Sequence, residues 1–355
     1  MKLFQNLYFL AATCIAWPLL LQAQTIPSRS EQRKMLQEEQ AFLQSMKPGL
    51  QHSQMLAVRE GIAGNTAPLE AIRRSRNTSP TLPQGVTTTD ITPNMRLFRP
   101  SEAEMPRSKV RRKQSTQRRK STTASSTKKM PILLYLHGGG WCFGSINSCA
   151  NFCAAVAKEA QCCVVALNYQ LSPEHPYPAP LADCQEAFAY LKQHAEEWNA
   201  DTTRISIAGD SAGGNLALAT AMSTEGVYSV IPIYPVMKLF TEPTNSWTTY
   251  ALGYGDDAEL LEAFNEAYAQ GQEKEPFVSI GLAPDTMLRQ LPPVLFISAG
   301  HDILADQGRD FIKRLKKVGI STKYHLFPTA THLFITVPGQ PTAFHKAVQL
   351  TAKML

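Results

Sequence analysis

Short apolar runs punctuate the second two-thirds of the chain, at residues 131–136, from Cys162, at 204–208, from Tyr228, at 293–298 and at 323–327. Each suits a buried strand. The stretches between them suit helices: 212–222 is rich in small residues, 256–270 is amphipathic at helical spacing, and so is the C-terminal segment holding His345. This alternation predicts a mostly parallel central sheet with helices on both faces. A further strand-like run, MRLFRP at 95–100, precedes these, and residues 28–76 are polar and helix-prone, with spaced leucines and methionines. No internal repeat is visible.

Two motifs interrupt the pattern at strand ends. HGGGW at 137–141 follows the run at 131–136, so three glycines lie where backbone can approach a ligand and offer free N–H groups to a developing oxyanion. GDSAGG at 209–214 sits between the run at 204–208 and the helical stretch from Ala212, placing Ser211 at a strand-to-helix turn. Small neighbours at Gly209 and Gly213 relieve the crowding of such an elbow, and the loop and elbow follow one another as in an α/β-hydrolase.

A hydroxyl nucleophile needs a base, and the base needs an orienting carboxylate. In this fold the chain order is serine, acid, histidine, which leaves His301, His325, His332 and His345. His325 falls inside a strand and His345 on a helix, where packing or surface roles are ordinary. Asp302, at the end of the run 293–298, and His332, in a loop beyond 323–327, are the expected partners; Asp306 and Asp310 belong to the following helix and are weaker candidates.

From about Met95 onward the chain resembles the hormone-sensitive-lipase-like branch of the α/β-hydrolases, which includes bacterial carboxylesterases. Besides HGGGW and GDSAGG, the resemblance rests on NYQLSPEHPYPA at 168–179, on Asp302, Ile303 and Leu304, and on His332, Leu333 and Phe334. It implies Ser211 as nucleophile, Asp302 as orienter, His332 as base, and the amides of Gly138, Gly139 and Ala212 as oxyanion donors. It also implies a helical cap, formed by part of residues 24–94 and by 237–287, over a core spanning 95–355. Ile303, Leu333 and Gln170 depart from the family's proline, glycine and arginine. Glu174 and His175, in a proline-flanked loop, are expected to brace the scaffold, Asp210 to shape the elbow, and Asp183 to do structural work.

Charge and targeting change the picture outside the core. Lys2, an apolar stretch over 7–21 and small Ala23 read as an export signal over 1–23; Pro18 and the short span disfavour a permanent membrane anchor, so no stable membrane insertion is expected. Residues 107–129 hold ten Lys or Arg and no acid; removing those ten from 35 leaves 25 bases against 29 acids, so the net +6 is local. That segment reads as a disordered surface insertion over 101–130, and without aromatics it lacks a stacking platform for nucleic acid. Of seven cysteines, Cys14 leaves with the signal. Cys162 and Cys163 open a strand and Cys149 and Cys153 share a helix face, so core packing is expected rather than a full disulfide set, although export permits disulfides.

No metal-ligand spacing or cofactor motif is present, and none is expected. The expected function is that of an exported, periplasmic or extracellular, serine carboxylesterase. It would hydrolyse short-chain acyl esters of small molecules through an acyl-enzyme, with deacetylation of a carbohydrate or small molecule as a special case. The alternatives are an amidase, a non-catalytic small-molecule binder on the same fold, and a surface protein that uses the basic insertion.

Overall fold

The computed structural model describes residues 28–101, 103 and 129–355. The export signal at 1–23 and nearly all of the basic insertion lie outside the described residues. Eight strands form one sheet in the order β1-β2-β4-β3-β5-β6-β7-β8. They are β1 (Val86–Thr92), β2 (Met95–Pro100), β3 (Met130–Leu136), β4 (Cys163–Leu167), β5 (Ala200–Asp210), β6 (Val230–Ile233), β7 (Val294–His301) and β8 (Thr322–Thr331). β1 and β2 run antiparallel to their neighbours, and β4, β3, β5, β6, β7 and β8 are parallel.

The helices are α1 (Arg29–Ser45), α2 (Leu50–Ile62), α3 (Ala67–Arg76), α4 (Ile146–Ala160), α5 (Ala179–His194), α6 (Ala212–Ser223), α7 (Asn245–Thr249), α8 (Ala258–Ala269), α9 (Asp285–Leu288), α10 (Ala305–Lys317) and α11 (Pro341–Ala352). Because strand side chains alternate between faces, Ile132, Leu134 and Leu136 of β3 pack with Phe188 of α5, Leu216 of α6 and Phe311 of α10. Leu133 and Tyr135 point the other way, into a second core with Phe152 of α4 and Ala347 of α11. The adjacent Cys162 and Cys163 part in the same manner, one into each core. All six described cysteines are buried and free of disulfides.

β1 is the strand that the apolar pattern does not announce. Its sequence VTTTDIT is largely exposed, and as an edge strand it pairs with β2 alone, so it needs no apolar face. The N-terminal helices divide. α1 lies on β8 and α11, where Glu38 accepts hydrogen bonds from the Thr342 backbone and hydroxyl. α2 packs on α8, with an Arg59–Glu266 pair at 2.9 Å. The segment between β6 and β7, which includes α7, α8 and α9, meets α2 through α8, and α2 in turn packs on α3.

Candidate active site

Sheet register brings the distant motifs to one end of the molecule. Leu136, the last residue of β3, pairs with Gly209 of β5, so the glycine loop from His137 leaves the sheet beside the turn at Ser211. Asp210 pairs with Ile233, whose carbonyl accepts the Ser211 N–H at 2.9 Å. Across β7 and β8, His301 pairs with Thr331, so Asp302 and His332 emerge as neighbours although 30 residues separate them. Parallel strands present their carboxyl ends together, and crossovers leave the loops there free to vary.

The turn at Ser211 is strained, with φ 54° and ψ −120°. Backbone held in so sparse a region costs about 1–3 kcal/mol and persists only where its surroundings enforce it. Here they do: a Cβ on Gly213 would stand 2.1 Å from the Leu136 carbonyl oxygen, and one on Gly209 2.3 Å from that of Gly213. The strand, turn and helix cross too closely for side chains at either position.

Asp302 and His332 are almost fully buried, and His332 Nδ1 lies 2.8 Å from Asp302 Oδ2. The other Asp302 oxygen accepts the Leu304 N–H at 2.8 Å, which fixes the carboxylate plane. His332 Nε2 takes no hydrogen bond among the described residues, so the Ser211 hydroxyl is not bonded to it in this closed arrangement; instead Asp256 Oδ2 stands 3.2 Å away. Catalytic hydrogen bonds are often formed only in the Michaelis complex. Burial opposes an imidazolium here, but Asp302, Asp256 and Asp210, with the Asp302 hydrogen bond, outweigh it and hold the His332 pKa up at about 9. Burial likewise pushes Asp256 up to about 6, partly offset by His332 and Arg76 and reinforced by Asp302 and Asp257.

The glycine loop corrects one expectation. The Gly138 N–H donates to Asp210 Oδ1 at 3.1 Å and is not free for an oxyanion, whereas among the described residues the N–H groups of Gly139, Gly140 and Ala212 have no hydrogen-bond partner. Asp210, which also accepts from the Tyr135 hydroxyl at 2.9 Å, ties loop to elbow. Tyr169 donates to the His137 carbonyl at 2.7 Å and stacks on its ring, holding the loop from the other side.

The remaining candidates have other partners. Glu174 is gripped by both terminal nitrogens of Arg73, at 2.7 and 2.9 Å, and Arg73 also donates to the Cys142 and Ser172 carbonyls. Asp183 accepts from the backbone and side chain of Gln170. His301 contacts buried Glu39 and stacks on Tyr250; His325 lies edge-on to Phe327; Asp306 accepts from the Ser246 N–H; and Asp310 pairs with Lys313 on the surface. Ile303 is buried, and Leu333 takes φ 70°, a left-handed conformation in which a glycine would be unstrained.

Asp256 was not legible as a site residue. One signal stood in the string Asp256–Asp257 ahead of α8: Asp257 occupies the N-cap position, which leaves its neighbour without a helical duty.

Above the loop sits α8. Phe264 lies so close to Gly140 that a Cβ there would be 2.1 Å from its ring, Tyr268 stacks on Trp141 at 4.3 Å, and Ser211 is only 4% exposed. Among the described residues no group of His, Cys, Asp and Glu is arranged to hold a metal, and no helix is long and apolar enough to cross a membrane.

A strained serine at a strand-to-helix turn, a carboxylate-bound histidine and unpaired loop amides on a mostly parallel sheet define the α/β-hydrolase class. Residues 133–336, more than half of the chain, match the Abhydrolase_3 family, described as alpha/beta hydrolase fold. The chain belongs to that family, which is that of the hormone-sensitive-lipase-like carboxylesterases, and it is a serine ester hydrolase. It is 33% identical over 216 residues to carboxylesterase NlhH of Mycobacterium tuberculosis, covering 58% of this chain and 67% of that protein. Ethyl acetate hydrolase of Pseudomonas putida is 32% identical over 211 residues, 57% of this chain and 65% of that one. A thermostable esterase from Pseudomonas putida ECU1011 shares the fold, with a TM-score of 0.70 at 20% identity over 90% of this chain and 96% of that one. The ester-hydrolase EH1AB1 from the metagenome of Lake Arreo superposes with a TM-score of 0.66 at 26% identity, over 91% and 98% of the two chains.

Proposed function

We propose that the protein is an exported carboxylesterase that cleaves short-acyl esters of small molecules through Ser211, His332 and Asp302. Ser211 Oγ attacks the ester carbonyl while His332 Nε2 takes its proton; the amides of Gly139, Gly140 and Ala212 receive the oxyanion. The imidazolium then protonates the departing alkoxide, and water, deprotonated by the same nitrogen, releases the acid from the acyl-enzyme. Asp302 holds the tautomer with Nδ1 protonated. The observation that carries this reading is the 2.8 Å Asp302–His332 hydrogen bond at the carboxyl ends of β7 and β8, the same end of the parallel sheet as the strained Ser211 turn after β5.

A small acyl group fits the tight cover of Phe264 over Gly140, and a close relative's name, ethyl acetate hydrolase, describes an acetyl ester as that enzyme's substrate. Export rests on the pattern of residues 1–23 and is read by a mature N-terminus at Gln24 in the periplasmic or medium fraction. A series of p-nitrophenyl esters of rising acyl length tests the activity, with Ser211→Ala as control. Turnover that falls beyond short acyl chains and vanishes in Ser211→Ala is expected; a preference for long chains contradicts the acyl assignment, and undiminished turnover in the variant contradicts the nucleophile.

A further inference from the structure

We infer that Asp256 is a specificity-determining residue whose carboxylate, 3.2 Å from His332 Nε2, accepts a hydrogen bond from a hydroxyl adjacent to the ester oxygen on the alcohol half of the substrate. The natural substrates are then partial esters of polyols, such as acetylated sugars or glycerol. This inference rests on His332 being the base of the proposed reaction.

The placement of Asp256 is enforced from both sides of the peptide. Gln51 of α2, itself buried, donates from Nε2 to the Gly255 carbonyl and accepts through Oε1 from the Asp257 N–H, so one side chain spans the residue between. Gly255, at φ 115°, lies directly on the base: a Cβ there would be 3.0 Å from the His332 carbonyl oxygen and 3.2 Å from its Cβ. Asp257 is held in turn, its Oδ1 accepting the Gly253 N–H at 2.7 Å.

The side chain so placed is 10% exposed, and its carboxylate accepts no hydrogen bond among the described residues; its close polar neighbour is Nε2. Buried carboxylates are costly unless paired. With a proton on Nε2 the two form an ion pair at 3.2 Å. When His332 is neutral and offers its Nε2 lone pair to Ser211, two acceptors face each other and Asp256 needs a donor from elsewhere.

The substrate is positioned to bring one. The leaving oxygen must reach hydrogen-bonding distance of Nε2 to be protonated, about 3 Å. The same nitrogen is 3.2 Å from Asp256 Oδ2, so a hydroxyl on the next carbon of the alcohol comes within reach of that oxygen. A simple alkyl ester leaves the carboxylate unpaired. Acetylcholine carries a positive charge and no hydroxyl, so it separates recognition by charge from recognition by hydrogen bonding at Asp256.

The test compares 2-hydroxyethyl acetate with its near-isostere propyl acetate and with acetylcholine, for the wild type, Asp256→Leu, Asp256→Asn and Gln51→Ala. We expect the wild type to favour the hydroxylated ester over propyl acetate by about tenfold or more in kcat/KM, since a site built around a substrate hydroxyl discriminates strongly against its absence. The ratio should fall toward unity in Asp256→Leu and fall partly in Gln51→Ala, which loosens the loop but keeps the carboxylate. In Asp256→Asn the acid limb of kcat/KM should also move to lower pH, because one of the three anions around His332 is gone while Asp302 and Asp210 remain; Arg76 and Asp257 are the other charges facing position 256. A merely structural residue would move neither the ratio nor the limb. Equal turnover of the two neutral esters by the wild type, an unchanged ratio in both Asp256→Leu and Gln51→Ala, or a preference for acetylcholine overturns the inference. A wild type that cleaves none of the three esters, nor p-nitrophenyl acetate, instead overturns the catalytic reading beneath it.

Discussion

His332 is surrounded by more negative charge than the base role proposed for it requires. Asp302 orients it, but Asp256 and Asp210 add to the potential that stabilises its imidazolium. A proposed base must be neutral to act, and a pKa held at about 9 leaves His332 largely protonated at neutral pH. The acid limb of kcat/KM, which reports the free enzyme, should therefore lie above the ordinary imidazole value of about 6.5, with activity climbing as pH rises toward about 9. A stopped-assay pH profile with a neutral ester checks this, and a limb at or below pH 6 would contradict it. The same scale governs Gly213. With the Leu136 carbonyl 2.1 Å from where its Cβ would be, Gly213→Ala should lower stability by about 2–4 kcal/mol, read as a drop in the denaturant midpoint. The strained turn at Ser211 and the pairing of Asp302 with His332 were legible because the expected chemistry restricts the residue types and the motif the chain order. Which amides of the glycine loop are unpaired was legible only to within one position. Nothing in HGGGW says that Asp210 claims the Gly138 amide, since that depends on how far β5 carries the aspartate beside the loop.

At the scale of elements, strands buried on both faces announce themselves and exposed ones do not. β3, β4 and β7 are nearly continuous apolar runs because helices cover both sides. β1 is mostly threonine on the sheet's rim, and its pairing with β2 is set by tertiary contact rather than by any pattern of its own. Long-range side-chain ties were equally silent. Arg73 of α3 fastens the loop carrying Glu174 to the end of the glycine loop with four hydrogen bonds. Removing it strands a half-buried carboxylate and two carbonyls, so Arg73→Ala should cost about 2–4 kcal/mol. Thermal unfolding measures the loss, and a shift within error of the wild type would show that water replaces those bonds freely.

Taken whole, the molecule is a sheet with its chemistry at one end and a helical cover closed over it. β2 ends and β3 begins at the opposite end, so the basic segment between them is attached far from Ser211. The cover combines α2 and α3 with the segment between β6 and β7, and its Phe264 limits the space beside Gly140. Phe264→Ala should shift the preferred acyl chain of p-nitrophenyl esters to longer lengths, whereas an unchanged optimum would mean that the acyl group lies elsewhere. The central claim is that a single strained serine, served by His332, is the nucleophile. Labelling with a fluorophosphonate and locating the adduct by peptide mass spectrometry tests it most directly. The expected result is one adduct per chain on Ser211, formed in step with loss of p-nitrophenyl acetate turnover and absent from Ser211→Ala; an unlabelled active enzyme, or an adduct on another residue, would contradict it.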